Sequence, residues 1–161
     1  MVIKIISSGQ TGVDRAALDA ALENDIACGG WCPKGRLAED GPIAAKYPLV
    51  ETETLSHAKS SELNVVDSDG TLLLNWGSLG GGSIKKAALV TRLKKPLRVL
   101  NLNENPKMDD VEAWAIRFKI RVLNVSGPKA SEVANAYVDA KAFITQLLIG
   151  DGTEADRELT D

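Results

Sequence analysis

Five short apolar runs, separated by stretches with helical spacing, constrain this 161-residue chain more than any other feature. The runs fall at residues 2–7, 26–31, 71–75, 97–102 and 121–125. Leu72-Leu73-Leu74 and Val122-Leu123-Asn124-Val125 are almost continuously apolar, which suits strands buried on both faces. Strands of that kind alternating with helices form an open, mostly parallel sheet with helices on both faces. The expected fold is therefore α/β, one Rossmann-like domain over residues 1–149, followed by an acidic tail at 150–161 that reads as disordered. No internal repeat is visible.

Helices are predicted at residues 14–24, 55–66, 83–94, 106–119 and 131–149. In the first, Ala17, Leu18, Ala21 and Leu22 share one stripe. Lys94-Lys95-Pro96 closes the third with positive charge and a breaker. Residues 33–48 hold three of the six prolines and no sustained period, so they read as a long ordered loop of the kind that often carries function.

Composition narrows the partners. A net charge of −3 argues against a broad nucleic-acid surface, which needs a basic face. No apolar run approaches the roughly 20 residues of a membrane helix. The first residues enter a strand directly and lack a signal-peptide layout, so a cytoplasmic location is expected. Cys28 and Cys32 do not have zinc-ribbon or thioredoxin spacing, and with a single histidine in the chain they read as buried thiols.

In a parallel sheet, ligands bind beyond the carboxyl ends of the strands, and three loops fall there. The first, Ser8-Gly9-Gln10-Thr11-Gly12-Val13, runs from strand to helix and presents backbone N–H groups to an anion. The second, Gly77-Ser78-Leu79-Gly80-Gly81-Gly82-Ser83, lets the backbone approach a ligand, with Ser83 placed to cap the following helix. The third, Ser126-Gly127-Pro128-Lys129, is either a ligand loop or a common turn.

Arg15 could neutralise a phosphate or be a solvated helix residue. Lys34 and Arg36 could close over an anion, while Lys85 and Lys86 could face the second loop or point outward. Trp31 and Trp76 stand at strand ends, where one could stack on a flat ring, although core packing is the commoner use. His57 reads as a surface group. Neither a P-loop nor a G-x-G-x-x-G fingerprint is present. The ligand expected from these loops is a phosphorylated small molecule.

The segments Ser8-Gly9-Gln10-Thr11-Gly12-Val13-Asp14-Arg15, Gly29-Gly30-Trp31-Cys32-Pro33-Lys34-Gly35-Arg36, Ala38-Glu39-Asp40-Gly41-Pro42, Asp67-Ser68-Asp69-Gly70-Thr71-Leu72 and Leu123-Asn124-Val125-Ser126-Gly127-Pro128 together resemble the molybdenum carrier family. That resemblance implies a Rossmann-like fold related to the cytokinin-activating, lysine-decarboxylase-like proteins. It also implies a carrier that binds the molybdenum cofactor (molybdopterin, a phosphorylated pterin dithiolene), a homo-oligomer, and molybdoenzymes as acceptors. On the matching positions, Gly9, Gln10, Thr11, Gly12 and Arg15 form the family's first loop, and Gly81, Gly82 and Ser83 its second, with Gly80 and Ser126 alongside. Lys85-Lys86 after Ser83-Ile84 departs from the family's usual apolar or hydroxyl residue. The alternative reading is a phosphoribohydrolase-type enzyme acting on a nucleoside monophosphate, with Glu39 or Asp40 as acid/base. The glutamate of that group's glycine motif is absent here.

Overall fold

The computed structural model describes residues 1–150; the expected tail lies outside them apart from Gly150. The chain begins with β1 (Lys4–Ile6), α1 (Val13–Glu23) and β2 (Ala27–Gly29). Four short strands follow: β3 (Trp31–Cys32), β4 (Leu37–Ala38), β5 (Gly41–Pro42) and β6 (Val50–Glu51). Then come α2 (His57–Asp67), β7 (Gly70–Asn75), α3 (Gly81–Arg92) and β8 (Leu97–Asn101). A 3-10 turn, α4 (Met108–Arg117), β9 (Val122–Ser126) and α5 (Ala136–Ile149) complete it.

Five strands form one parallel sheet in the order β2-β1-β9-β7-β8. The last strand of the chain thus lies in the middle, with Ile5 opposite Leu123 on one side and Thr71 opposite Asn124 on the other. Counted from β9 onward, and continuing from the C-terminus to the N-terminus, the same sheet reads 3-2-1-4-5, the order of a doubly wound nucleotide-binding sheet. The first residues and the end of α5 are close enough for such a rotation. Met1 and Val2 line one cavity together with Leu147, Leu148, Ile149 and Gly150.

The two faces of the sheet differ in chemistry. Successive strand residues point to opposite sides. Ile5, Leu72, Leu74, Leu123 and Val125 join one apolar cluster with Ala16, Ala17, Ala20 and Ala21 of α1, Trp114 of α4, and Ala140 and Ile144 of α5. The small alanine side chains let α1 lie close to both the sheet and α5. Truncating a fully buried leucine in this layer would cost roughly 2–5 kcal/mol. On the opposite face Thr71 and Asn124 are buried against α2 and α3, and Asn124 Nδ2 donates to Thr71 Oγ1 at 3.1 Å.

Residues 33–48 are a folded strap, with a β4–β5 hairpin and its own core of Leu18, Cys32, Ile43, Tyr47 and Leu49. Its Arg36 guanidinium donates to the carbonyls of Ile43, Ala44, Tyr47 and Leu49 at 2.8–3.2 Å. Asp19 of α1 accepts from Tyr47 Oη at 2.7 Å and from Tyr137 Oη of α5 at 2.5 Å, which ties strap and C-terminal helix to one carboxylate. Cys32 is buried and Cys28 partly so, both thiols are free, and burial raises both above the ordinary thiol range.

The helices start one to five residues from the expected positions, and two of these shifts bear on the loops at the strand ends. α3 begins at Gly81, so Ser83 is a residue of its first turn and Gly80 takes the cap position. α5 begins at Ala136, because residues 129–133 form a separate turn in which the Lys129 carbonyl accepts from the amides of Glu132 and Val133. The strand expected at 26–31 divides into β2 and β3 at Gly30, whose φ of 132° breaks the extended run.

Candidate functional site

The chain leaves β9 toward α5 on the apolar face and leaves β7 toward α3 on the polar face. Neighbouring strands whose connections part in this way open a crevice at their carboxyl ends. Three groups of residues meet there: the turn after β9, the N-terminus of α3 and the start of α2.

The N-terminus of α3 is open. Its first backbone bond is Ile84 N–H to Gly80 O at 2.9 Å, and no side chain caps it. The amides of Gly81, Gly82 and Ser83 therefore lack helical acceptors and carry the positive end of the helix dipole. A Cβ built on Gly80, Gly81 or Gly82 would meet nothing within 4 Å. The preceding turn is fixed from the sheet: Asn101 Oδ1 accepts the Gly77 amide at 2.9 Å and Asn75 Nδ2 donates to Gly77 O at 2.7 Å.

Positive charge surrounds this open end. Lys86, in the second turn of α3, reaches across the crevice and donates from Nζ to Gly127 O at 3.2 Å. Behind it lies Asp14, 4% exposed, with Oδ1 lacking any hydrogen-bond partner. Burial pushes Asp14 up to about 6, against the pull of Lys86, the Gly127 amide and Arg15. His57 is held below its usual value by burial and by the charges of Lys129 and Lys86, so it is largely neutral at pH 7. A groove of about 490 Å³ runs from Gly82 between α2 and α3. Beneath it a cavity of about 20 Å³ with mixed walls, polar at Ser8, Asn64, Thr71, Lys86, Asn124 and Ser126 and apolar at Val65, Leu89, Val90 and Val125, has room for one water.

The first glycine loop is closed. Gly9 and Gly12 are buried, the Val13 amide donates to Pro128 O at 3.2 Å, and the Thr11 amide donates to Gln10 Oε1 at 3.0 Å. Thr11 Oγ1 accepts the Ala130 amide at 3.1 Å and donates to Glu39. Glu39 in turn accepts from Ser131 Oγ and the Ser131 amide, and its own amide donates to Gln10 Oε1 at 2.9 Å. Arg15 pairs with Asp40 and donates to Gly9 O at 3.0 Å from Nη2. These contacts hold Glu39 and Asp40 below the ordinary carboxylate range, Glu39 through Ser131 and Thr11 and Asp40 through Arg15.

Of the residues singled out from sequence, Gly80, Gly81, Gly82, Ser83 and Ser126 thus gather around Lys86. Gly9, Gln10, Thr11, Gly12 and Arg15 form the wall behind them, locked to the strap and to the turn after β9. Arg36 lies inside the strap with its donors on backbone carbonyls, and Lys34 is exposed in the turn after β3, where its amide donates to Thr54 O. Trp31 and Trp76 sit on opposite helical layers: Trp31 Nε1 donates to Asp67 of α2 at 2.8 Å and Trp76 Nε1 to Asp139 of α5 at 3.3 Å. Sequence reasoning left Lys86 undecided and gave Asp14 and Asn64 no role of their own; its reading of His57 as a surface group agrees with the exposed side chain. The signal was the spacing: Lys86 follows Gly82 by one helical turn, which puts both on one side of α3. Asn64 was legible only through its partners, Ser8, Trp31 and the buried polar layer.

A family model described as the circularly permutated YpsA SLOG family matches residues 5–148. The chain belongs to this family. Among solved structures, a crystal structure of a protein named "Putative molybdenum carrier protein", from Syntrophus aciditrophicus SB, is 39% identical, with a TM-score of 0.85 over 92% of this chain and 95% of that one. No curated protein matches the chain. This member of the circularly permutated YpsA family is thus similar over nearly its whole length to a molybdenum carrier-like protein with the same Rossmann-like fold. No helix among its described residues is long and apolar enough to cross a membrane.

Proposed function

We propose that the protein is a carrier that holds the phosphate of the molybdenum cofactor at the N-terminus of α3. The observation that carries this reading is the uncapped turn of Gly81, Gly82 and Ser83 beside Lys86 at the topological switch point. Three free amides, a helix dipole and a lysine suit a phosphate monoester dianion. The likeness to a protein named as a molybdenum carrier supports a molybdenum-related cargo, which this reading takes to be the cofactor.

The residues present fit such a cargo. The turn is open to a ligand, and Lys85 and Lys86 add charge that the phosphate would neutralise. When Lys86 turns toward that phosphate it gives up part of its attraction to Asp14, which the phosphate dianion must offset. The first loop and the strap act as the rigid back wall, and the turn after β9 sets the width of the crevice. Among the described residues no cluster of His, Cys, Asp and Glu is spaced to bind a metal ion, so the grip on the cargo is assigned to its phosphate and ring.

Hydrolysis of a nucleoside monophosphate would need a carboxyl poised to give up or take a proton. Glu39 and Asp40 are engaged with Ser131, Thr11 and Arg15 and favour the ionised form. That engagement favours the carrier reading over an acid at either position.

The test is anaerobic titration of the purified protein with freshly released cofactor, with adenosine monophosphate in parallel. The carrier reading expects the cofactor to co-elute with the wild type and to be lost from Lys86→Ala. Turnover of adenosine monophosphate without cofactor retention would replace it with the hydrolase.

A further inference from the structure

The groove that leaves the α3 N-terminus is more than the flank of an anion site. Helices α2 and α3 barely touch and leave about 490 Å³ between them, within the 300–1,000 Å³ typical of small-molecule pockets. Ser61, Lys86 and Leu89 line both this groove and the small cavity beneath it, so the two adjoin, and Gly82 at the α3 N-terminus lines the groove itself. Its walls are apolar at Ala58, Ala88 and Leu89.

Charged groups in the groove are uncommitted. Among the described residues, the side chains of His57, Glu62, Lys85 and Arg92 make no hydrogen bond or ion pair. Glu62 is partly buried and is the one carboxylate among the lining residues. A single acceptor-only group on an apolar wall, among cations that could engage a phosphate, is complementary to a ring that offers N–H donors at one edge and carries an anion at the other end.

We infer that the α2–α3 groove is the ring subsite of the same ligand, and that Glu62 selects a 2-amino-4-oxopyrimidine edge. Such an edge presents a ring N–H and an exocyclic amine side by side, and one carboxylate accepts both. Guanine and pterin carry it; adenine does not, because its amine sits beside a ring nitrogen that accepts. The inference rests on the anion site proposed above, whose phosphate fixes the end of the ligand at Gly82. Ala58, Ala88 and Leu89 would cover the faces of the ring, while His57, neutral and at the mouth, is placed at the link between ring and phosphate.

Calorimetric titration with guanosine monophosphate, adenosine monophosphate and inorganic phosphate tests this. The wild type is expected to bind guanosine monophosphate at least about tenfold more tightly than adenosine monophosphate, the usual scale for hydrogen bonds to a charged group. Glu62→Gln should bring the two nucleotides within about twofold of each other, because an amide offers one acceptor where the carboxylate offered two. Ala88→Trp should weaken both nucleotides by more than about tenfold by filling the groove. Neither variant should change phosphate binding.

Equal affinity for the two nucleotides in the wild type, or a preference that survives Glu62→Gln, overturns the ring subsite. If phosphate still binds in that case, the anion site stands and only the groove is reassigned. Failure of the wild type to bind phosphate, with Gly82→Asp behaving identically, removes the anion site and the groove proposal with it. A change in sedimentation on Ala88→Trp with nucleotide affinity unchanged would assign the groove to a second copy of the chain.

Discussion

The two glycine turns at residues 9–12 and 80–82 resemble each other in sequence: each follows a buried strand, opens a helix and carries small residues. In the fold they are opposites. A Cβ on Gly12 would lie 2.4 Å from Pro128 O and 2.8 Å from the Ala130 amide, whereas one on Gly82 would meet nothing. The first turn uses glycine to let two pieces of backbone close on each other, and the amides of Gly9, Thr11 and Val13 are taken up by acceptors within the protein. The second uses glycine to keep space empty, and its donors remain available. A strand–glycine–helix motif therefore marks a place where backbone must be approached, and only the surrounding chain decides what approaches it.

That contrast is sharpest in substitutions. Gly12→Val places a branched side chain at φ 79° against backbone and is expected to cost roughly 3 kcal/mol or more, read as a large drop in the urea midpoint or as loss of folded protein. An unchanged midpoint would mean that the first turn is not closed. Gly82→Asp should leave the midpoint within about 0.5 kcal/mol of wild type, since the site is open and an acidic residue suits a helix start. Its effect should fall on the ligand, with phosphate affinity down about 100-fold, because two like charges a few ångströms apart repel strongly.

Asp14 links the two turns, and its titration gives a smaller, pH-dependent signal. Its folded value of about 6 exceeds the ordinary 3.8, so the folded state holds the extra proton between those values. Stability from this group is fully present below about 4 and is lost as pH rises through about 6, with a ceiling of about 3 kcal/mol. Asp14→Asn should remove that slope and be more stable than wild type at pH 7.5 by on the order of 1–2 kcal/mol, since Lys86 gives up part of the gain. Urea unfolding at pH 4.5 and 7.5 reads both numbers, and a variant with the wild-type slope would refute the assignment. Smallest is Glu39→Gln, an exposed tie between strap and turn. It should speed hydrogen exchange at the Ser131 amide several-fold and leave the melting temperature nearly unchanged; no change in exchange would mean that Glu39 does not hold the turn.

Much of the fold was legible in the chain because its signals are local. Runs such as Leu72-Leu73-Leu74 can hardly be anything but a central strand, and the alanine stripe of α1 belongs to a helix pressed against a sheet. Strand order was not legible, since nothing in Val122–Ser126 says that it inserts between β1 and β7. The β4–β5 hairpin of the strap and β6 beyond it were missed because the strap's path depends on Arg36 collecting carbonyls across residues 43–49. At the site, the glycines were visible, and so were Lys85 and Lys86, but the direction in which those lysines point was not. Lys86 owes its place to Gly127, 41 residues away in sequence. Arg36 looked like an anion ligand because its charge is evident in sequence and its four backbone partners are not.

One measurement goes to the centre of the account: an amide NMR titration of the protein with inorganic phosphate. The account predicts saturable shifts at Gly81, Gly82 and Ser83, with Lys86 responding and the amides of residues 9–13 nearly still. Shifts concentrated at residues 9–13, with 81–83 unmoved, would contradict it and return the anion to the turn described here as closed.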